Sequence, residues 1–315
     1  MSDAKLNQEK VLKNANYFEY TTSADPIAAG LITEVPFRVF PHTLHEEGAS
    51  RVIPLALSDL LGCDYPATSP GLLANFVRII HGEKIKTNAN ATSQLFYVIR
   101  GNGRSVVGDL IIPWNTGDMF VLPAHSDVVH YADTDSAFYY VHDEPLLTYL
   151  GANAAIQRFE PTLFTTEASY AHLQKAIDSD TKDRNRLSVL LGNAVFPQTR
   201  TITHVLWAMF GVLPAGGVQP PHRHQSVALD FAVECQPGCY TLIGKELDAQ
   251  GNIIDPIRAD WAPSSVFVTP PGYWHSHHNE SGVQAHVIPI QDAALHTYLR
   301  TLDIQFAAET KSMIG

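Results

Sequence analysis

The chain has 315 residues, of which 17% are charged and 45% hydrophobic. At roughly 150 residues per domain, that length suggests two domains, with enough apolar side chains for two cores. The net charge of −11, from 21 Lys and Arg against 32 Asp and Glu, comes without a basic run. It argues against nucleic acid or an anionic membrane as the main partner.

Cys63, Cys235 and Cys239 are too few, and odd in number, for a disulfide framework. The opening MSDAKLNQEK lacks the apolar core of a signal peptide, and no apolar run is long enough to span a membrane. A soluble cytoplasmic protein is expected, with Cys235 and Cys239 as buried thiols rather than ligands. The unusual count is 15 His beside 21 Lys and Arg, because imidazole binds metals and moves protons near neutral pH.

Residues 1–70 are interrupted by Pro26, Pro36 and Pro41 and read as an arm with leading strands. From Leu73 the pattern becomes short strands rich in Val, Ile, Phe and Tyr, at residues 73–80, 95–99, 105–107, 119–122 and 138–142. Gly82, Gly101-Asn102-Gly103 and Asn115-Thr116-Gly117-Asp118 punctuate them. Strands at this spacing, without helices between them, indicate an antiparallel barrel or sandwich over residues 71–150. Residues 151–200 break the pattern and form the connection. A helix is expected at residues 167–178 behind Thr165 or Thr166 as N-cap, followed by a polar run to Arg186 and an apolar stretch at 187–191. A second strand series over residues 201–292 has members at 204–212, 228–233, 239–243, 265–269 and 284–290. Residues 293–315 are a helix (293–302) and tail. The two series match in layout, so a mainly β, duplicated barrel is expected.

The histidines of the second series form a pattern. His222 and His224 stand at i and i+2 in Pro220-Pro221-His222-Arg223-His224. On an extended segment both point to one face. His275 follows the Pro270-Pro271-Gly272 turn. Three imidazoles from two strands make a nitrogen face suited to Fe, Zn, Cu or Ni, with positions left open for reactants.

This pattern resembles the cupin superfamily, whose motifs supply H-x-H and then P-x-G before a last His. The resemblance implies a bicupin: two antiparallel double-stranded β-helix (jelly-roll) barrels with a few helices. The usual motif Glu is replaced by Ala228, which implies a three-His site. In the first series Asn88-x-Asn90 stands in the H-x-H place and Gln94 in the Glu place, so no metal is expected there, and His125, His130 and His142 are expected to be structural or surface residues.

The runs PPHRHQSVALDF, TPPGYWHSHHN, FYVIRGNGRSVVG, WNTGDMFVLP and DEPLLTYLG look like the gentisate, salicylate and 1-hydroxy-2-naphthoate 1,2-dioxygenases. In those enzymes the metal-bearing barrel comes first; here it comes second. The resemblance implies Fe(II) held by His222, His224 and His275, with Ni, Mn or Zn as other divalent occupants. It implies a small-molecule substrate and O₂ as reactants, and a homodimer or homotetramer. It assigns His277 to proton transfer or substrate orientation. Asp230 stands where those relatives carry a carboxylate-clamping Arg, and Gln291 near where they place an Asp. A pocket carboxylate would repel an anionic arene acid, so the expected substrate is a small hydroxylated aromatic that need not carry a carboxylate. Asp230, Gln291, Trp207 and Trp274 are the candidate substrate residues, and Arg223 is expected to face away from the metal. Two other readings remain open: a three-His β-diketone-type dioxygenase, and a non-catalytic metal or small-molecule binding bicupin.

Overall fold

The computed structural model describes residues 3–124, 127–179 and 185–307. Residues 1–34 form one compact unit and residues 35–315 another. The first contains helices Asp3–Leu12 and Tyr20–Ser23, the latter capped by Glu19, whose carboxylate accepts from the amides of Thr21 and Thr22 at 3.0 Å.

The second unit contains two β-barrels, each a six-stranded sheet closed by a smaller one. In the first barrel the large sheet runs Thr162–Phe164, Met119–Pro123, Ser93–Arg100, Ser136–His142, Leu73–Ile79, Arg51–Pro54. Its partner sheet runs Lys84–Thr87, Val128–Ala132, Asn102–Val107, Leu110–Asn115. In the second barrel the large sheet runs Arg38–Phe40, Val266–Thr269, Ala228–Glu234, Ala285–Gln291, Trp207–Leu213, Leu187–Leu191. The partner sheet runs Ile257–Asp260, Cys239–Gly244, Trp274–Asn279, Val218–Arg223, Gln305–Phe306. The expected duplicated, mainly β architecture is the one observed. Both large sheets take edge strands from stretches read as arm or connection: Arg38–Phe40, Arg51–Pro54, Thr162–Phe164 and Leu187–Leu191. The helix expected at 167–178 runs Thr166–Asp178, with Thr165 Oγ1 accepting from the Ala168 amide. The last helix is shorter than expected: Ala293–Leu299 ends at Arg300, whose φ of 61° is left-handed.

The central strands read as near-continuous apolar runs because both of their faces are covered. Along Ser136–His142, Phe138 and Tyr140 fill the first barrel, while Tyr139 and Val141 pack outward. Along Ala228–Glu234, Leu229 and Phe231 join Tyr139, Tyr97 and Phe76 in one cluster shared by the barrels. The Phe231 ring lies 5.2 Å from Tyr97 and 5.1 Å from Tyr139, and Tyr139 Oη donates to the Leu229 carbonyl at 3.4 Å. Alternation then turns Ala228 and Asp230 toward the interior of the second barrel. Cys235 and Cys239 are buried there and unpaired, as expected. Among the described residues no helix is long and apolar enough to cross a membrane.

Candidate metal centre

Val218–Arg223 and Trp274–Asn279 pair antiparallel, with His222 directly opposite His275. Pro220 and Pro221 bring no amide donors, and the ladder changes register between Gln219 and His222. His224 lies just beyond the strand end. Its carbonyl accepts from the Gly272 amide at 2.7 Å, which ties the Pro-Pro-Gly turn ahead of His275 to the other ligand-bearing segment. Gly272 has φ +78°, a conformation in which a side chain would be strained.

These segments bring ligand nitrogens of His222, His224 and His275 within 4.8 Å of one another, and all three residues are buried. Each Nδ1 faces a backbone carbonyl: His224 to Ser226 at 2.9 Å, His275 to Tyr273 at 3.1 Å and His222 to Pro220 at 3.4 Å. A carbonyl only accepts, so Nδ1 carries the proton and Nε2 the lone pair. Burial holds His224 down at about 4, and holds His222 and His275 well below the ordinary histidine value. The trio is therefore neutral at pH 7, the state in which imidazole binds a metal. Three converging neutral nitrogens buried in the barrel fit a divalent transition ion with open positions beside it.

Around the trio the structure gathers most of the other candidates. His277 shares its strand face. Its ring centre is 5.7 Å from that of His275 and 6.0 Å from that of His222. Its Nδ1 is 2.8 Å from Thr241 Oγ1, and that hydroxyl accepts from Trp261 Nε1 at 2.9 Å. Burial pushes His277 down to about 3, so it too is neutral. Gln291 approaches His224 Nε2 at 3.5 Å and accepts from Ser226 Oγ at 2.9 Å. Trp207 is the cross-strand neighbour of Gln291, and its buried indole Nε1–H has no partner among the described residues. Asp230 is buried and accepts from Thr269 Oγ1 at 2.9 Å; desolvation pushes its carboxyl up to about 7 against the pull of that bond and of Arg186.

Trp274 is not brought to the site. Being one residue from His275, it alternates to the opposite face, where Arg223 stacks on its ring at 5.0 Å. Arg223 faces away from the trio as expected and bonds to Gln305 at 2.8 Å and 3.0 Å.

Arg186 was not singled out from the sequence. It ends the polar run 178–186 and directly precedes the edge strand Leu187–Leu191, which carries it into the second barrel. Its Nη2 hydrogen-bonds to His222 Nε2. A guanidinium only donates, so this contact independently places the lone pair on Nε2. Burial lowers Arg186 to about 10, leaving it charged, and its charge helps keep the four site histidines neutral. Asp230 stands at one strand position where the resembled enzymes carry an Arg, and Arg186 brings a buried positive charge to the trio from another. An apolar-edge signal was present in Leu187–Leu191, but nothing in one sequence says which barrel that strand joins.

The first barrel gives counterparts of His222 and His275. Thr87 is opposite Val128 in register, as His222 is opposite His275. His130 sits two residues beyond Val128, as His277 does beyond His275. Hence the H-x-H place begins at Thr87, one residue before the Asn88 chosen from spacing. Asn88 is exposed, and Asn90 is engaged with the loop at Ala152, Asn153 and Ala154. Gln94 is buried and accepts from Tyr140 Oη at 2.6 Å. His130 and His142 are buried, whereas His125 lies outside the described residues. A surface pocket of about 400 Å³ is lined by His42, His45, Glu46, Ile99, Arg100, Pro263 and Ser264, and includes none of the trio.

No family model matches the chain. A curated relative, gentisate 1,2 dioxygenase 1 of Aquipseudomonas alcaligenes, is 29% identical over 100 residues, 32% of this chain. The match spans a quarter of that relative's length. Among solved structures, salicylate 1,2-dioxygenase from Pseudoaminobacter salicylatoxidans superposes with a TM-score of 0.74 at 13% identity, covering 98% of this chain and 99% of that one. The adducts of that enzyme with gentisate give 0.73 at 13% identity, covering 98% and 95%. The fold is a bicupin.

Proposed function

We propose that the protein is a ring-cleaving dioxygenase of the gentisate type, using Fe(II) held by His222, His224 and His275 and acting on a small hydroxylated aromatic. The observation that carries this reading is the trio itself: three buried, neutral imidazoles whose Nδ1 protons are committed to carbonyls and whose ligand nitrogens lie within 4.8 Å of one another. Fe(II) bound there would supply a shared point of attachment for the ring oxygen and O₂, and a route for electrons between them.

The chain's own residues do the rest. Arg186 receives an anionic substituent of the substrate, because it is a charged fork reaching the ligand His222 inside the barrel. Neutral His277 holds or moves a proton at Nε2, since Nδ1 is engaged by Thr241. Trp207 Nε1–H is a buried donor left for a ligand. The apolar barrel excludes bulk water and strengthens each of these interactions. The β-diketone alternative drew its support from the lack of a cationic clamp in the sequence motif, and Arg186 removes that support.

The test is O₂ uptake, with absorbance of ring-opened product, by Fe(II)-reconstituted full-length protein offered phenols, arene acids, aminophenols and diketones. Uptake with a hydroxylated arene, abolished by His275→Ala, is expected. Tight binding of such ligands without O₂ consumption would favour the binding-module reading instead.

A further inference from the structure

The second barrel carries a strand that the first lacks among the described residues. The two large sheets match: Leu187–Leu191 lies beyond Trp207–Leu213 as Arg51–Pro54 lies beyond Leu73–Ile79. The small sheets do not. In the first barrel the small sheet ends at Lys84–Thr87, whereas in the second Gln305–Phe306 pairs with the equivalent strand, Val218–Arg223. The added strand therefore covers a ligand-bearing strand, and it does so at the ligand itself, since Phe306 is in register with His222.

Partners in an antiparallel pair share a face, so the two residues of the added strand are placed differently. Gln305, opposite Arg223, takes the outer face. It accepts from Arg223 Nε at 3.0 Å and Nη2 at 2.8 Å, and the same guanidinium stacks on Trp274 at 5.0 Å. The Asp303 amide donates to Gln225 Oε1 at 2.7 Å and the Ala307 amide to the Pro221 carbonyl at 2.8 Å, so the segment is tied on either side of His222 and His224. Phe306 takes the inner face. Its ring lies 6.1 Å from that of His222, with the planes 24° apart. Phe306 is 49% exposed and His222 2%, so the phenyl ring stands between that ligand and solvent. Arg186, at the head of the edge strand Leu187–Leu191, reaches the same imidazole. Trp207–Leu213 and Val218–Arg223, which these two edge strands extend, are joined by the turn 214–217. Both edges thus lie on one side of the barrel, beside His222.

We infer that residues 303–307 are a strap closing the side of the second barrel at His222, and that Phe306 governs passage to the trio. The inference rests on the reading of the trio as a metal centre. It gives a role to Arg223 and Trp274, which neighbour the ligands in sequence yet point away from them: they latch the strap from outside. A two-residue strand with a half-exposed ring opens locally at low cost, without unfolding the barrel. A lid of this kind sets the rate at which a buried site exchanges with solvent. It slows entry and exit alike, whereas a residue that only steadies a ligand slows exit alone.

The experiment is anaerobic metal exchange by the full-length protein. Fe(II) release into excess chromophoric chelator, Fe(II) uptake by the metal-free protein and equilibrium affinity by chelator competition are measured separately. Phe306→Ala should speed release and uptake together by about fivefold to tenfold, the factor that half-burial of a phenyl ring supplies, with affinity held within about twofold. Phe306→Leu, which keeps an apolar cap, should stay close to the wild type. Gln305→Ala removes the acceptor for Arg223 on the outer face. It should speed both steps in the same way, and it covers the case in which Phe306→Ala fails to fold. Unchanged release and uptake in both alanine variants overturns the strap and leaves the metal centre standing. Faster release with unchanged uptake and a matching loss of affinity does the same. Failure of the wild type to bind Fe(II) overturns both.

Discussion

Replacing Ser226 by Ala tests how the site orients its ligands. Ser226 Oγ donates its single proton to Gln291 Oε1 at 2.9 Å, so toward His224 Nδ1, 3.0 Å away, it can only accept. The Ser226 carbonyl takes the same Nδ1–H at 2.9 Å. Losing a partner that orients a metal-bound histidine typically weakens metal affinity about tenfold to a hundredfold. Because the carbonyl survives in Ser226→Ala, the low end applies: about tenfold, or roughly 1.4 kcal/mol. The second effect is separate. Gln291, 3% exposed, loses its donor at Oε1, at a stability cost of about 1–3 kcal/mol. Competition against a calibrated chromophoric chelator measures the first effect, and thermal melting in excess chelator the second. Ser226→Thr, which keeps the hydroxyl, should preserve both. Destabilisation with unchanged metal affinity would show that the hydroxyl serves Gln291 alone. A loss as large as that of His224→Ala would show that the carbonyl orients nothing.

Two further outcomes follow from charge. Arg186→Gln should weaken salicylate binding to the Fe(II)-loaded protein about tenfold to a hundredfold by calorimetry, as expected for removing a charged hydrogen bond. Metal affinity, by chelator competition, should hold or rise, because the cation beside His222 opposes a second positive charge; an equal loss of both would refute the clamp. Acidification should destabilise the fold. His130, His142 and His277 are held at about 3, and His45, His204 and His224 at about 4, all first by burial. Their folded values lie below the unfolded value of about 6.5, so each favours the unfolded chain as pH falls from 6.5 toward 3 or 4, by up to about 2 kcal/mol at pH 5. Asp230 and Asp292, pushed up to about 7 by burial, run the other way between about pH 4 and 7, but they are outnumbered. Melting temperature should therefore drop between pH 7 and pH 5, with a shallower drop in His130→Gln; a flat profile would count against neutral buried imidazoles.

What the sequence showed and what it hid divide along physical lines. The trio was legible because both motifs are local: the H-x-H pair needs only period-two alternation, and Gly272 marks the turn ahead of His275. The duplicated barrels were legible from strand rhythm, for the same reason. Edge strands were not. Arg38–Phe40 and Thr162–Phe164 are three residues each, too short for a periodic signal, and their partners lie over two hundred and about forty positions away. Arg186 was hidden by the same problem, since its role depends on which sheet the following strand joins. Trp274 was misplaced for the opposite reason. Proximity to His275 in sequence suggested proximity to the site, but adjacent residues on a strand face opposite sides.

The two barrels also clarify what distinguishes His277 from a packing residue. The first barrel contains the same relay: Trp114 Nε1 donates to Ser105 Oγ at 3.0 Å, and that hydroxyl is 2.7 Å from His130 Nδ1. The Trp–hydroxyl–His unit is therefore a feature of the barrel interior, and its presence at His277 alone would not point to chemistry. The difference lies at the other ring nitrogen. His130 Nε2 is closed by Thr87 Oγ1 at 3.0 Å, and Thr87 occupies the register position that His222 holds in the second barrel. At that register position His222 turns its own Nε2 to Arg186, and among the described residues His277 Nε2 has no hydrogen bond. A neutral, oriented nitrogen thus stands beside the trio, which is the arrangement a proton-handling residue requires.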